Sequence, residues 1–238
     1  MLELKNIYKT FNPGTINEKR ALNGLNLKLN EGDFVTVIGG NGAGKSTMLN
    51  AVAGTWMVDE GQILIDNIDV TKLSEHKRAA YLGRVFQDPM TGTAATMGIE
   101  ENLALAKRRG KSRLLRPGIT KAERTEYKEL LKILGLGLED RLTSKVGLLS
   151  GGQRQALTLL MATLQKPKLL LLDEHTAALD PKTASKVLEI TDMIVNRDHL
   201  TTLMITHNMK DAIAHGNRLI MMMEGKIILD IQGEEKKK

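Results

Sequence analysis

Apolar and polar residues alternate near the start of the chain, in LELKNIYKTF (2–11) and in LNLKLN (25–30). Alternation with a period of two predicts half-buried β-strands, and we expect the strand at 2–11 to be of the edge type. Three shorter apolar segments, each bounded by turn residues, predict further strands. They are DFVTVIGG (33–40), which runs into a Gly-rich loop, GQILIDN (61–67) and LGRVFQD (82–88).

The pattern changes to a helical one between about residues 88 and 165, for example in IEENLALAKRR and KAERTEYKELLKILG. The continuous apolar run KPKLLLLDE (166–174) then predicts a strand buried on both faces. Strands that alternate with helices predict an α/β domain with a mostly parallel sheet. The remaining predicted elements are helices at 45–54, 181–197 and 208–215, a strand at 200–207, and a strand pair around Glu224-Gly225.

A length of 238 residues fits one good-sized domain, which we place at 1–232. We expect a core with a mostly parallel sheet and an antiparallel β subdomain at its N-terminus, formed by 1–87 and 166–232. The segment 88–165 is predicted to be an inserted α-helical subdomain. The charged end at 233–238 is predicted to be a flexible tail.

Composition excludes several kinds of function. The chain has no cysteine, so a disulfide framework, a thiolate metal site and a cysteine nucleophile are excluded. No apolar run approaches the ~20 residues of a membrane-spanning helix, and the N-terminus lacks the apolar core of a secretion signal. The net charge of +6 favours an anionic partner, but a solvated surface rich in lysine explains it equally well. The basic segment 107–116 contains no aromatic residue, so we expect no nucleic-acid partner.

The segment GGNGAGKS (39–46) matches the phosphate-binding pattern G-x-x-x-x-G-K-[ST] and lies between a predicted strand and a predicted helix. Backbone N–H groups of such a loop surround phosphates, and the helix N-terminus adds positive potential. Lys45 is expected at the β- and γ-phosphates, and Ser46 at Mg²⁺. The predicted ATP-binding residues of this loop are Gly39, Gly40, Asn41, Gly42, Ala43, Gly44, Lys45, Ser46 and Thr47.

Two adjacent carboxylates end the buried strand in LLLLDE (169–174), at the sheet edge where ligands bind in α/β proteins. Asp173 is expected to hold Mg²⁺ through water. Glu174, one residue later, points in another direction and can polarise an attacking water. With the phosphate loop, these residues predict a Mg²⁺-dependent nucleotide hydrolase built on a P-loop NTPase core.

A second Gly-rich segment, LSGGQ, precedes a helix-like run, and its residues are Leu149, Ser150, Gly151, Gly152 and Gln153. The spacing of Ser150 and Gln153 predicts a capping box. A cap does not need two glycines, which each cost about 1 kcal/mol in a helix. Glycines at a helix start permit close approach to the backbone, and an anion suits that position.

LSGGQ between a phosphate loop and LLLLDE resembles the signature of ABC-type ATPases, and the resemblance covers essentially the whole chain. It implies four further roles. Gln87 resembles the glutamine that contacts Mg²⁺ or the attacking water, and Asp180 resembles the D-loop aspartate. His207 resembles the switch histidine that touches the γ-phosphate. Phe11 lies where the family stacks an aromatic ring on adenine, and Tyr8 is a weaker candidate.

Local explanations exist for some of these residues, and the pattern departs from the family at one position. Asp180 followed by Pro181 also fits a helix N-cap with proline at the first helical position. Phe11 is equally compatible with a place in the core. The family usually has proline after the catalytic glutamate, whereas this chain has His175. Because Glu174 is retained, we expect catalysis to be retained and assign His175 no catalytic role.

The resemblance implies a head-to-tail homodimer, or a pair with a related ATPase, in which ATP lies between the phosphate loop of one chain and Ser150–Gln153 of the other. It also implies a multi-span membrane permease docked on the helical subdomain, an indirect extracytoplasmic substrate-binding protein, and a peripheral place on the cytoplasmic face of the membrane.

The chain is more similar to ATPases of bacterial importers, those for amino acids and aromatic amino acids included. An exporter subunit and a non-transport ABC ATPase, such as an iron–sulfur assembly protein, remain alternatives. A binding module with dead sites is disfavoured because the catalytic residues are present.

Overall fold

The computed structural model describes residues 1–111 and 118–237. The strands are β1 (Leu2–Phe11), β2 (Lys19–Leu29), β3 (Phe34–Ile38), β4 (Glu60–Ile65), β5 (Ile68–Asp69), β6 (Leu82–Val85), β7 (Leu169–Asp173), β8 (Thr202–Ile205), β9 (Arg218–Met223) and β10 (Lys226–Gln232). The helices are α1 (Lys45–Ala53), α2 (Glu75–Arg78), α3 (Ile99–Lys107), α4 (Lys121–Lys132), α5 (Gly151–Thr163), α6 (Pro181–Asp198) and α7 (Met209–Ala214). Two short 3₁₀ turns lie at Val146–Leu148, before α5, and at Gly233–Lys237, after β10.

A four-stranded antiparallel sheet has the order β2-β1-β4-β5. Leu2 pairs with Leu29 of β2 on one side and with Ile65 of β4 on the other. The expectation that 2–11 is an edge strand is therefore wrong, because β1 is paired along both sides. Its apolar residues Leu2, Leu4 and Ile7 are buried in the main core.

The second sheet has six strands in the order β10-β9-β3-β8-β7-β6. The five strands from β9 to β6 run parallel, and β10 adds antiparallel to β9 at the edge. Leu169–Leu172 of β7 are all buried, as expected for a parallel strand covered on both faces. The α/β fold with a mostly parallel sheet and an antiparallel sheet is confirmed.

Helices α3, α4 and α5 pack on the sheet through a shared apolar cluster that includes Leu103, Leu131, Leu157 and Leu170. Glu100 and Arg124 link α3 to α4, with Nε–Oε2 at 2.6 Å. The separate status of 88–165 as a subdomain stays a prediction. Residues 112–117, which include the second half (112–116) of the basic segment 107–116, lie outside the described residues.

The end of the described chain has a short ordered turn, and the flexibility of the tail at 233–238 stays a prediction. Gly233–Lys237 forms a 3₁₀ turn, and the Lys236 side chain is buried. Its ammonium donates to the carbonyl oxygens of His215 and Gly216 at the end of α7. Carbonyl acceptors compensate the burial of the cation, and this anchors the turn.

In residues 1–111 and 118–237, no helix combines the length and the apolar character that crossing a membrane requires.

Candidate nucleotide site

The phosphate loop connects the C-terminal end of β3 to the N-terminus of α1, as predicted. Gly44 is the N-cap of α1 and has a φ of +101°. A Cβ at Gly44 would lie 2.5 Å from the carbonyl oxygen of Ala21 on β2. Only glycine fits this position, because both the left-handed backbone and the close strand exclude a side chain.

Lys45 folds back over its own loop. Its Nζ donates to the carbonyl oxygens of Gly39 at 2.7 Å and Gly40 at 3.1 Å. Burial lowers the pKa of Lys45, and the negative charge of Glu174 partly opposes this shift. The ammonium is therefore held at the loop by acceptors that phosphate oxygens can replace.

The two carboxylates at the end of β7 contact different partners, Arg84 for Asp173 and His207 for Glu174. Glu174 is the first residue beyond β7 and has a φ of +48°, in the left-handed region that non-glycine residues seldom adopt. Its N–H still donates to the carbonyl oxygen of Ile205 on β8, at 3.1 Å. Strained backbone of this kind persists where surrounding structure fixes it, and such positions cluster at active sites.

Asp173 is held by a cation that the sequence analysis did not single out. Arg84 on the neighbouring strand β6 places Nη2 3.5 Å from Asp173 Oδ2. Burial raises the pKa of Asp173, and Arg84 opposes that shift. Arg84 also donates to Asn50 Oδ1 of α1 at 2.8 Å. The sequence signal for this contact was a charged residue, Arg84, inside the predicted strand LGRVFQD.

His207 follows β8, the strand beside β7. Its Nε2 lies 2.6 Å from Oε1 of Glu174. The pairing of Asp173 with Ile205 in these two strands brings both residues to one sheet edge. Residues that are far apart in sequence thus meet because parallel strands end together.

A cavity of about 240 Å³ lies between the phosphate loop, the end of the β1–β2 hairpin and this sheet edge. Glu174, His207 and Phe11, three of the predicted site residues, line it. Lys19, which the sequence analysis did not single out, lines it as well. The complete lining is Phe11, Lys19, Ala21, Asn41, Gly42, Ala43, Gly44, Lys45, Ser46, Thr47, Glu174 and His207.

Phe11 is half-buried at the cavity and belongs to none of the core clusters of the described chain. Trp56 packs edge-on against it, with ring centroids 4.9 Å apart and an angle of 79°. The Lys9 ammonium lies 5.7 Å from the Phe11 ring centroid. The weaker candidate Tyr8 instead directs its hydroxyl at Gly24 and is not among the lining residues.

Gln87 is exposed in the bend after β6, two residues beyond Val85. Because β6 is parallel to β7, Gln87 emerges at the same sheet edge as Asp173. It is not among the residues that line the cavity. Its proposed contact with Mg²⁺ or water therefore remains a prediction.

The predicted capping box of LSGGQ is confirmed. Ser150 Oγ accepts from the Gln153 N–H at 3.3 Å, and Gln153 Oε1 accepts from the Ser150 N–H at 3.2 Å. The described structure places these residues at the start of α5, and none of them lines the cavity. The chain therefore presents LSGGQ and the phosphate loop at separate places.

The two glycines of LSGGQ have a packing role inside the chain. A Cβ at Gly152 would lie 2.1 Å from Cγ2 of Thr183, in the first turn of α6. A Cβ at Gly151 would lie 3.2 Å from Cδ2 of Leu179. The group that approaches the Gly152 backbone closely is thus Thr183, which sequence reasoning did not foresee.

Asp180 caps α6 as its sequence predicted, with Pro181 at the first helical position. Its Oδ1 accepts from the Thr183 N–H at 3.1 Å. Hydrogen bonds from Thr183 lower the pKa of Asp180. Asp180 therefore fixes the start of the helix that packs against Gly152.

His175, the departure from the family pattern, is almost fully buried, with 1% of its surface exposed. Its Nε2 lies 3.1 Å from Thr191 Oγ1, and the Thr191 hydroxyl donates its single proton to the Val187 carbonyl oxygen. Nε2 must therefore carry the imidazole proton. Burial, with a smaller contribution from the nearby His215, lowers the pKa of His175 to about 4. His175 is a neutral packing residue behind Glu174.

Sequence comparisons agree with this geometry. The family model described as "ABC transporter" matches residues 22–177. The chain is 46% identical over 237 residues to a tyrosine transport ATP-binding protein of Clostridioides difficile, across 99% of this chain and 94% of that protein. It is 33% identical over 232 residues to the spermidine/putrescine import ATP-binding protein PotA of Haemophilus influenzae. That match covers 97% of this chain but spans only 57% of PotA.

The fold is also similar to solved structures. One is a dimeric ATP-binding cassette in a post-hydrolysis state, bound to ADP and Pi. It superimposes with a TM-score of 0.81 at 30% sequence identity, over 98% of both chains.

Proposed function

We propose that this chain, which belongs to the ABC transporter family and hydrolyses ATP, is the ATP-driven subunit of a bacterial importer for amino acids, aromatic ones included. The observation that carries the proposal is the cavity in which residues 39–47, Glu174 and His207 meet. A phosphate-binding loop, a carboxylate and an imidazole around one cavity supply positioning, proton transfer and charge stabilisation.

In the proposed hydrolysis, Glu174 accepts a proton from the water that attacks the γ-phosphorus. The new bond forms between water oxygen and phosphorus while the bond to the β-phosphate oxygen breaks. His207, already 2.6 Å from Glu174, stabilises charge on the γ-phosphate. Lys45 exchanges the carbonyl oxygens of its own loop for phosphate oxygens.

The donor set fits a magnesium ion. The Ser46 hydroxyl, the Asp173 carboxylate and the Gln87 amide oxygen are hard oxygen ligands of the kind that Mg²⁺ prefers. In the described ranges, no cluster of three or more acidic or histidine residues forms a complete metal cage. A site with one or two carboxylates, completed by nucleotide phosphates and water, is typical of Mg²⁺. When bound, the ion would neutralise charge on the phosphates.

We also propose that two chains, or this chain and a related ATPase, pair head to tail. LSGGQ lies outside the cavity of its own chain, so Ser150–Gln153 would complete the site of a partner. The N-terminus of α5 offers N–H groups suited to a phosphate. The dimeric ADP- and Pi-bound cassette supports this arrangement.

The transport role is supported by the tyrosine transport relative, which matches nearly end to end. We place the pair on the cytoplasmic face of the membrane, bound through residues 88–165 to a multi-span permease. An extracytoplasmic substrate-binding protein would deliver the amino acid to that permease. ATP-driven closure and opening of the pair would then move the permease between its two states.

The direct test is uptake. The chain is co-purified with its permease and reconstituted in vesicles, with ATP and Mg²⁺ enclosed on the side of the ATPase and with the substrate-binding protein outside. Radiolabelled tyrosine should accumulate, and Glu174→Gln should abolish accumulation while the complex stays assembled. Robust ATP hydrolysis without transport of any of the twenty amino acids would overturn the importer assignment but not the assignment of ATPase activity.

A further inference from the structure

Phe11 and Lys19 are direct partners in the β1–β2 ladder, at the end of the hairpin next to the connecting residues 12–18. Residues that face each other across an antiparallel pair direct their side chains to the same side of the sheet. Both side chains line the cavity at the phosphate loop. One register pair therefore presents an aromatic ring and an ammonium group to the same ligand.

The position of Lys19 is specific. Its Nζ lies 3.0 Å from the point that a Cβ on Gly42 would occupy, so the ammonium stands directly over the middle of the phosphate loop. Lys45 reaches the same loop but is bonded to the carbonyl oxygens of Gly39 and Gly40. Within residues 1–111 and 118–237, Lys19 forms no ion pair. An unpaired cation that faces a phosphate loop can bind an anion there at little cost.

We propose that Lys19 is a further nucleotide-binding residue, which contacts the phosphate chain on the side of the base. This rests on the proposed function of the cavity. Phe11 would cover the base, residues 39–47 would hold the terminal phosphates, and Lys19 would contact the phosphates between them. Because ATP and ADP share that part of the molecule, Lys19 stabilises both nucleotides to the same extent.

A residue that binds substrate and transition state equally changes binding without changing the chemical step. Lys19→Gln is therefore expected to weaken both ATP and ADP about 5- to 20-fold, to raise KM for ATP by the same factor, and to leave kcat at saturation unchanged. Lys19→Arg, which keeps the charge, should restore most of the affinity.

Arg20→Gln is the matched control. Arg20 is the next residue on β2, pairs with Thr10, and is exposed outside the cavity lining. The substitution Arg20→Gln removes the same charge one residue away, on the opposite side of the sheet. Nucleotide affinity in this variant should therefore stay within twofold of that of the original chain.

Calorimetric titration with ATP and with ADP separates the outcomes. Equal nucleotide affinities in the original chain and in Lys19→Gln would overturn the role of Lys19 alone. A loss of affinity for ATP but not for ADP, or an equal loss of affinity in Arg20→Gln, would overturn it as well. No binding of either nucleotide by the original chain would overturn the proposed site as a whole. A parallel loss for both nucleotides in Lys19→Gln only would support the proposal.

Discussion

Nε2 of His207 lies 2.6 Å from Oε1 of Glu174, so the two side chains proposed for the γ-phosphate contact each other directly. They come from the ends of adjacent parallel strands, β8 and β7. Glu174 has a left-handed backbone. Whereas the carboxylate of Asp173 contacts Arg84, the carboxylate of Glu174 contacts His207. This contact orients the carboxylate before any substrate is positioned, which is what a general base requires.

Glu174→Gln tests that assignment. The amide keeps the size of the side chain but cannot accept a proton from water, so the rate of phosphate release should fall about 10²- to 10⁴-fold. ATP affinity should stay close to that of the original chain, because Lys45 and the loop are intact. Phosphate release and equilibrium nucleotide binding are the two measurements.

Glu224→Gln is the control for this substitution. Glu224 also has a positive φ, +49°, but lies exposed in the β9–β10 turn. Its replacement should leave hydrolysis unchanged. Normal hydrolysis by Glu174→Gln would remove Glu174 from the role of base.

Ser150→Arg tests whether LSGGQ serves a partner chain. A long cation at the N-terminus of α5 should block a partner's nucleotide while leaving the phosphate loop of its own chain untouched. Binding of ATP by the single chain is expected to be retained, and ATP-dependent dimerisation to be lost. Size-exclusion chromatography with ATP, in a Glu174→Gln background that prevents turnover, measures the second effect.

Thr120→Arg provides the matched comparison. Thr120 caps α4 in the same capping-box arrangement that Ser150 forms on α5. Each substitution removes one helix cap, at a cost of about 1 kcal/mol in stability. Only Ser150→Arg should prevent dimerisation. Dimerisation by both variants would contradict the head-to-tail pairing through LSGGQ.

Gly152→Ala tests the packing of α5 on α6. Alanine normally stabilises a helix relative to glycine by about 1 kcal/mol, but here its methyl group would collide with Thr183 Cγ2. We expect Gly152→Ala to destabilise the chain by about 1–3 kcal/mol in urea unfolding. Thr183→Ser removes that methyl group and should rescue the variant. If Gly152→Ala is stabilising by itself, the close contact does not exist in solution.

The sequence predicts well those parts of the site that depend on local backbone physics. The phosphate loop, the capping box of Ser150 and Gln153, and the Asp180-Pro181 cap each involve neighbouring residues and follow from helix-terminus hydrogen bonding. The buried strand Leu169–Asp173 follows from its uninterrupted apolar run. All of these occur in the structure at the predicted positions.

Features that depend on strand register could not be predicted from the sequence. Lys19 faces the phosphate loop because it pairs with Phe11, and Arg84 reaches Asp173 because β6 lies beside β7. Neither neighbour is visible in a linear pattern. The interior position of β1 was missed for the same reason, since alternation is the same in an edge strand and a central strand.

The buried His175 should make the free energy of unfolding depend on pH in the acidic range. Its pKa is about 4 in the folded chain against an ordinary value near 6.5, so the unfolded chain binds the proton first as pH falls. The stability contributed by neutral His175 is present above about pH 6.5 and is lost as pH falls towards 4. Between pH 7.5 and 5.0 that loss is about 2 kcal/mol. His215, whose pKa is raised mainly by its hydrogen bond to Asp192, acts in the opposite direction.

His175→Gln isolates this effect, because glutamine can donate to Thr191 and does not titrate, while His215 contributes equally to both chains. Urea unfolding at pH 7.5 and pH 5.0 gives the difference in the free energy of unfolding. The original chain should lose about 2 kcal/mol more than His175→Gln over that interval. An equal loss in both chains would mean that His175 titrates normally when folded, and that its side chain is not buried as a neutral donor to Thr191.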